Sequence, residues 1–241
     1  MDLAMPHRHI DTKHSRVELL RTIHSKIRYN CVYFRKVCSS KFQSPKSSYK
    51  PPSINPFNDK NKELPKGLIA KILERYGVNP EKPILTQVAR FDPWKDPLVV
   101  IDVYRLVKKE IPDVQLLLIA SMAKDDPEGW LYFEKTARHA GIDPNIHFLT
   151  DLKGVTDLEV NAFQRASTVA LQMSTREGFG LTVSEAMWKG IPVVGRNVGG
   201  IPLQIVHEST GFLVQTDSEA AEKTIYLAKT FCQRKRNGWK S

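Results

Sequence analysis

Residues 168–190, TVALQMSTREGFGLTVSEAMWKG, carry the clearest pattern of secondary structure in the chain. The first part of this stretch, residues 168–173, is an apolar run that predicts a buried strand, and residues 181–189 predict a helix that Gly190 ends. A turn that contains Gly178 and Gly180 lies between them. A buried strand that leads directly into a helix is the repeating unit of parallel sheets, so this stretch predicts an α/β protein.

The same alternation continues on both sides of this stretch. We predict six buried strands, over residues 83–89, 114–120, 145–149, 168–173, 192–195 and 212–215. Further helices are predicted over residues 97–110 after a cap at Asp96, from Pro127 to Gly141, from a cap at Asp157, and from residue 217 or 218 onward. The pattern predicts a doubly wound, Rossmann-like parallel sheet, which binds ligands beyond the carboxyl ends of its strands. The loops after strands one, four and five are therefore the candidate site.

The composition excludes several classes of protein. The chain has 241 residues, of which 41% are hydrophobic and 26% charged, and this excludes collagen, coiled coil and wholesale disorder. No stretch approaches the roughly 18 apolar residues of a membrane span, and no signal-peptide core is present, so we expect a cytoplasmic protein. Cys31, Cys38 and Cys232 lack the spacing of a disulfide framework or a zinc site and are expected to be free thiols.

The net charge of +10 comes from the two ends of the chain. Residues 1–50 hold 11 Lys and Arg against 3 Asp and Glu, whereas residues 51–232 hold 21 basic and 23 acidic side chains. A nucleic-acid-binding core is therefore disfavoured. We expect residues 1–50 to be a basic, disordered extension and residues 233–241 a basic tail. A basic helix over residues 17–37 that binds a membrane surface or nucleic acid is the alternative for the first segment.

The first candidate loop, ARFDPWKD over residues 89–96, carries two cations. Arg90 stands at the end of the strand, and Lys95 lies just before the start of a helix. A planar guanidinium and a mobile ammonium can together neutralise a diphosphate. Two solvated surface charges would give the same spacing, so both interpretations stay open at this point.

The fourth loop and the helix after it, STREGFGLTVSEA over residues 174–186, form the most informative segment. Gly178 and Gly180 remove Cβ obstruction, so backbone N–H groups of residues 180–182 can meet an anion such as phosphate. Glu177 and Glu185 can accept hydrogen bonds from sugar hydroxyls, although Glu185 alone also fits an ordinary helix-surface acid. Carboxylates beside an anion-binding loop suggest a sugar nucleotide as ligand.

The remaining motifs, present and absent, limit which ligand the site can bind. The fifth loop, NVGGIP over residues 197–202, permits either close backbone approach or a tight turn at its glycine pair. No G-x-G-x-x-G follows the first strand, and G-x-x-x-x-G-K-[ST], G-x-S-x-G and Asp-x-Asp do not occur. Neutralisation of a diphosphate by Arg90, Lys95 and a helix N-terminus, without a metal, is consistent with this pattern.

Longer segments carry a family resemblance. RFDPWKDPLVVIDVYRLVKKEIPDVQLLL (residues 90–118) and REGFGLTVSEAMWKGIPVVG (residues 176–195) resemble the donor-binding lobe of retaining, two-lobed (GT-B) glycosyltransferases of family four. They look closest to trehalose glycosyl-transferring synthases, which join a nucleotide-activated glucose to free glucose. The resemblance covers about residues 51–215. Residues 51–65, PPSINPFNDKNKELP, resemble the connector that leaves the N-terminal lobe, so we predict a connector over 51–80 and a nucleotide-sugar-binding domain over 81–232.

The resemblance implies roles for individual residues. It implies that Glu177 is the catalytic residue beside the transferred sugar and that Glu185 binds the ribose hydroxyls. The implied donor-binding set consists of Arg90 and Lys95 on the diphosphate, with Gly178, Phe179, Gly180, Leu181, Thr182 and Glu185. The implied donor is ADP-, UDP- or GDP-glucose and the implied acceptor is glucose, and no metal or other cofactor is expected.

The two ends of the chain depart from the family pattern, which suggests altered reading frames or a truncated gene product. The N-terminal lobe, with its acceptor pocket and catalytic His, has no counterpart in residues 1–50. We therefore expect glucose transfer with retention when another chain supplies an acceptor lobe, and self-association through the face left exposed. One alternative is a noncatalytic nucleotide-sugar-binding remnant. Another is a polyanion-binding protein, whose binding would collapse with salt and survive loss of Glu177.

Overall fold

A computed structural model of the chain describes residues 52–122 and 126–236. The strands in these ranges are β1 Ile84–Val88, β2 Gln115–Ala120, β3 Ile146–Thr150, β4 Val169–Gln172, β5 Val193–Arg196 and β6 Gly211–Val214. The helices are α1 Lys66–Arg75, α2 Pro97–Glu110, α3 Pro127–Ala140, α4 Asp157–Ala166, α5 Leu181–Trp188 and α6 Asp217–Arg236. The strands form one parallel sheet in the order β3-β2-β1-β4-β5-β6.

This architecture confirms the predicted doubly wound α/β fold. Each predicted strand is present, and its ends differ from the prediction by at most one residue. Pro83 and Pro192 lie just outside β1 and β5, because proline has no N–H group to donate to a ladder. The sequence pattern therefore predicts the sheet almost completely.

The strand order reverses between β1 and β4. Strand β1 pairs with β2 on one side and with β4 on the other, so the chain builds outward in both directions from this pair. In a doubly wound sheet the crevice at such a reversal, at the carboxyl ends of the strands, is the usual ligand site. The loops after β1 and β4 are the two loops that border this crevice.

Helices cover both faces of the sheet. On one face α2, α3 and α6 pack onto a core that includes Leu85, Leu116 and Tyr104. On the other face α1 and α4 pack around Phe163, and α5 packs beside Val193. Burial on both faces explains why the strands are almost continuously apolar.

The predicted helices start where the sequence indicates, with one correction to the caps. The side chains of Asp96 and Asp126 accept hydrogen bonds from first-turn backbone N–H groups of α2 and α3. The prediction of Asp157 as the cap of α4 is wrong, because Thr156 is the N-cap. The carboxylate of Glu159 accepts a hydrogen bond of 2.9 Å from the Thr156 N–H, which completes a capping box that outcompetes the next residue as a cap.

Two helices lie at or near the predicted domain boundaries. Helix α1 is not among the predicted helices and lies within the predicted connector, yet its Leu73 is buried in the same cluster as Ile84 and Phe163. Helix α1 therefore packs against residues of the predicted domain that begins at residue 81. Helix α6 continues past residue 232 to Arg236, because no glycine or proline interrupts it before Gly238.

Some predictions lie outside the described residues. They concern residues 1–50, including the basic helix over 17–37, Cys31 and Cys38, and also the side chain of Cys232 and residues 237–241. Among the helices that the structure does describe, none has the length and apolar character needed to cross a membrane.

Candidate functional site

The first and fourth loops contact each other at the crevice. The backbone N–H of Thr175 donates to the carbonyl oxygen of Trp94 at 2.8 Å. The guanidinium of Arg176 lies over the Trp94 ring, 5.7 Å from its centroid, in a cation–π contact. The two loops that the sequence predicts as a site are therefore one structural unit.

The pair of Lys95 and Glu177 lies at the centre of this unit. The Lys95 Nζ atom is 2.7 Å from Glu177 Oε2, and the glutamate side chain is only 9% exposed. The same oxygen accepts hydrogen bonds from Gln172 Nε2 at 3.1 Å and from Ser174 Oγ at 3.2 Å. Among the described residues, these donors all contact Oε2 and none of them contacts the other oxygen, Oε1. The carboxylate is thus held in one orientation with one oxygen left for a further partner.

Backbone contacts fix the position of Lys95. The side chain of Asp92 accepts hydrogen bonds from the N–H groups of Trp94, at 2.7 Å, and Lys95, at 3.0 Å, and so closes the loop as an Asx-turn. The side chain of Gln87, near the end of β1, donates to the Lys95 carbonyl oxygen at 2.7 Å. The ammonium group therefore extends from a well-supported loop.

Arg90 lies apart from the Lys95–Glu177 pair. Its side chain is 65% exposed, and its Nη2 atom is 3.5 Å from Asp92 Oδ2, which is too long for a strong hydrogen bond. Arg90 lines a cavity of about 320 Å³ together with Lys60, Asp151 and Thr182. The guanidinium is available to an anion in this cavity, whereas a diphosphate that reached Lys95 would share it with Glu177.

The glycines of the fourth loop shape the start of α5. Gly180 is the N-cap of α5 with φ of 83°, a conformation that favours glycine, and no side chain caps this helix end. The hydroxyl of Thr182 donates to Gln172 Oε1 at 3.1 Å and thereby ties the first turn of α5 to β4. The predicted residues 178–182 therefore lie together, beside Glu177 and at a helix N-terminus.

The glycine pair of the fifth loop lets it pack directly under the fourth loop. A Cβ atom at Gly199 would overlap the carbonyl oxygen of Glu177, and one at Gly200 would lie 2.6 Å from the Gly178 carbonyl oxygen. The side chain of Gln204 also donates to the carbonyl oxygens of Phe179 and Gly180. Close backbone approach is thus the main reason for these glycines, and the approaching group is the loop that carries Glu177.

Glu185 is buried, which excludes its interpretation as an ordinary surface acid. The residue is 5% exposed, and its Oε1 atom is 3.1 Å from Lys60 Nζ. Its other oxygen, Oε2, has no hydrogen-bond partner among the described residues. A buried carboxylate oxygen without a donor is uncommon and marks a position where a ligand can supply one.

Lys189 lies next to Glu185 on the following turn. Its Nζ atom donates to Asn61 Oδ1 at 2.9 Å and to Gln164 Oε1 at 2.7 Å. Burial lowers the pKa of Lys189 to about 7, while Glu185 opposes this decrease and the nearby charges of Arg165 and Lys60 add to it. Glu63, also nearby, raises this pKa. The lysine therefore changes charge near neutral pH at the contact between α5 and the connector.

Several site residues were not predicted from the sequence. Gln172 and Ser174 alternate at the end of a buried strand, and polar residues in such a run are a usable signal. Gln204 and Lys60 have no comparable local signal, because their contacts connect positions far apart in the chain. No three His, Cys, Asp or Glu side chains cluster as metal ligands within the described ranges.

Comparison with known proteins identifies the family. Residues 69–236 match the family described as Glycosyl transferases group 1. Trehalose synthases of Thermococcus litoralis and Rubrobacter xylanophilus are 66% identical over 177 residues and 54% identical over 171 residues. The alignments cover 73% and 71% of this chain but 43% and 41% of the two relatives, so the chain spans less than half of their length.

Solved structures agree on the fold. WaaG, a glycosyltransferase involved in lipopolysaccharide biosynthesis, aligns with a TM-score of 0.60 at 20% identity over 76% of this chain and 48% of that one. Anabaena HepE in complex with UDP and glucose aligns with a TM-score of 0.55 at 21% identity over 71% of this chain and 43% of that one. These likenesses concern the fold, and the family match covers most of the chain. The chain therefore belongs to the group 1 glycosyltransferase family and has the Rossmann-like fold of a GT-B lobe.

Proposed function

We propose that the chain is the donor-binding lobe of a retaining, trehalose synthase-type glycosyltransferase. It would transfer glucose from ADP-, UDP- or GDP-glucose to a sugar acceptor, glucose, when an acceptor lobe completes the site. The observation that carries this proposal is the Lys95–Glu177 pair at the strand-order reversal, 2.7 Å between its charged atoms, in a chain 66% identical to a trehalose synthase over 177 residues.

The charges at the crevice suit departure of a nucleoside diphosphate. When the glycosidic bond to the diphosphate breaks, negative charge grows on the leaving oxygens, and fixed donors stabilise it. Arg90 faces the cavity with an exposed guanidinium, and the first turn of α5 offers backbone N–H groups beside it. Lys95 supplies a second cation once the diphosphate competes with Glu177 for it. We propose that these groups replace a metal, and that no other cofactor takes part.

Glu177 is proposed to face the transferred glucose. Its Oε2 atom is occupied by Lys95, Gln172 and Ser174, so Oε1 is the oxygen that would accept a hydrogen bond from a sugar hydroxyl. This arrangement fixes the carboxylate while the sugar binds, and it places negative charge near the oxocarbenium-like centre that forms as the leaving group departs.

The proposal is tested by titrating the full chain with ADP-, UDP- and GDP-glucose in a calorimeter and then analysing products after addition of glucose. Arg90→Ala should weaken binding at least about tenfold, because a hydrogen bond to a charged group contributes about 1.5–3 kcal/mol. Arg138→Ala is the matched control, since it removes an exposed guanidinium that pairs with Glu134 on α3, away from the crevice. Equal effects of the two variants would contradict the proposal.

The outcomes also separate the alternatives. Binding without product in the presence of an acceptor lobe supplied as a second chain would favour a noncatalytic nucleotide-sugar-binding protein. Polyanion binding through the basic ends would fall steeply with salt and would not respond to Glu177→Gln. Binding of nucleotide-glucose that changes with Glu177→Gln and falls less steeply with salt than polyanion binding would favour the transferase.

A further inference from the structure

A cation from the connector reaches the carboxylate of Glu185. Lys60 lies 125 positions earlier in the chain than Glu185, and its Nζ atom is 3.1 Å from Glu185 Oε1. The glutamate side chain is almost fully buried, so it requires a compensating positive charge. Lys60 contributes this charge at one oxygen, and the second oxygen, Oε2, has no partner among the described residues.

The connector strap, residues 55–63, is fixed in place by Asn61. This residue is 1% exposed, and its side chain donates to the Asn55 carbonyl oxygen at 3.0 Å. Its carbonyl oxygen accepts hydrogen bonds from Arg165 Nη2 at 3.1 Å and from Trp188 Nε1 at 3.3 Å. The residue next to Lys60 is thus anchored to both α4 and α5, so the position of the lysine is defined by the fold.

A second anchor holds the other part of the connector strap. The side chain of Asn161, on α4, donates to the carbonyl oxygens of Asp59 and Lys62, each at 2.8 Å. Lys60 therefore lies between two fixed backbone positions. Lys60 also lines the cavity of about 320 Å³ that Arg90 and Thr182 border, so the partner of Glu185 lies at the edge of a ligand-sized space.

We propose that Lys60 is a positioning residue of the donor site. It holds Oε1 of Glu185, and this orients Oε2 to accept hydrogen bonds from the adjacent ribose hydroxyls of a nucleotide donor. The proposal rests on the proposed function, since it concerns the same donor. It assigns to the connector strap an indirect part in the recognition of ribose, through Glu185, which no residue pattern in the strap indicates.

The test compares ribose with dideoxyribose in binding experiments on the full chain. ADP and UDP are titrated beside their 2′,3′-dideoxy forms into the wild type, Lys60→Met, Lys60→Arg and Lys62→Met. Lys62 is the matched control, because its exposed side chain pairs with Asp59 within the same strap. We expect the wild type to bind the ribose form at least about tenfold more tightly than the dideoxy form, because the hydroxyls donate hydrogen bonds to a charged group.

Lys60→Met should reduce this preference to within about threefold of unity, while binding of the dideoxy nucleotide stays within about twofold of the wild type. Lys60→Arg should restore most of the preference, and Lys62→Met should leave it unchanged. In a Glu185→Gln background, Lys60→Met should have no further effect on the preference, because the two residues act on the same hydroxyls. Glu185→Gln also tests the pair if Lys60→Met does not fold.

Other outcomes overturn the proposal. An equal loss of both nucleotide forms in Lys60→Met would mean a purely structural role, and an unchanged preference would mean no role in ribose recognition. A wild type that binds nucleotides without distinguishing ribose would refute the Glu185 assignment while the proposed function stands. A folded wild type that binds no nucleotide would refute the proposed function itself.

Discussion

Replacement of Gly199 by alanine should disturb the candidate site through a contact between two loops. Gly199 has φ of 53°, and a Cβ atom there would overlap the carbonyl oxygen of Glu177. The left-handed backbone costs an alanine about 1–2 kcal/mol, and overpacking of a closed contact costs about 1–3 kcal/mol more. We expect the free energy of unfolding to decrease by about 2–5 kcal/mol in total.

Gly190→Ala provides the matched control for this variant. Gly190 has φ of 77°, but a Cβ atom there would meet nothing within 4 Å, so only the backbone cost applies. Thermal unfolding should place the Tm of Gly199→Ala about 2–12 °C below that of Gly190→Ala, given about 2–4 °C per kcal/mol for a chain of this size. Nucleotide-glucose binding should weaken in Gly199→Ala alone, because the backbone of Glu177 must move. Equal Tm values and equal affinities in the two variants would refute the argument.

Three further predictions concern charge. Glu177→Gln should strengthen or preserve binding of the free nucleoside diphosphate, because Lys95 loses its charged partner at 2.7 Å, but it should weaken binding of the nucleotide-glucose. Calorimetry with both ligands checks this prediction, and parallel losses of affinity would contradict it. Gln172→Ala should weaken nucleotide-glucose binding more than free diphosphate binding, since it removes a donor that holds the Glu177 carboxylate, and equal losses would argue against that role. The folded-state pKa of Lys189, about 7, lies below its unfolded value, so the unfolded chain binds more protons than the folded chain from about pH 7 to about pH 10. The wild type should therefore gain stability relative to Lys189→Met as pH rises through that window. Urea unfolding of both proteins at about pH 6 and about pH 9 measures this gain, and a constant difference would contradict it.

The sheet could be predicted because each of its strands is a local pattern. A run such as residues 168–173 is apolar, has the length of a buried strand, and is followed by glycines and a helix, so nearby residues determine it. The loops after β1 and β4 could also be predicted as neighbours, since parallel strands end at the same edge and the order reverses there.

Contacts between distant parts of the chain could not be predicted in this way. The pairing of Lys60 with Glu185 requires the connector strap to cross α4 and α5, and the packing of Gly199 under Glu177 requires two loops to meet. Helix α1, in contrast, does have a local signal, because residues 68, 69, 72 and 73 are apolar at helical spacing and Ile72 and Leu73 are buried. Capping of α4 by Thr156 has a local signal in the later Glu159, but Asp157 is by itself an equally good cap, so the sequence alone does not separate the two positions.

The most direct test of the central claim is calorimetric titration of the full chain with ADP-, UDP- and GDP-glucose. We expect saturable binding of at least one of them, weakened at least about tenfold by Arg90→Ala and unaffected by Arg138→Ala. Absence of binding by a chain that is folded by circular dichroism, or binding that Arg90→Ala leaves unchanged, would contradict it.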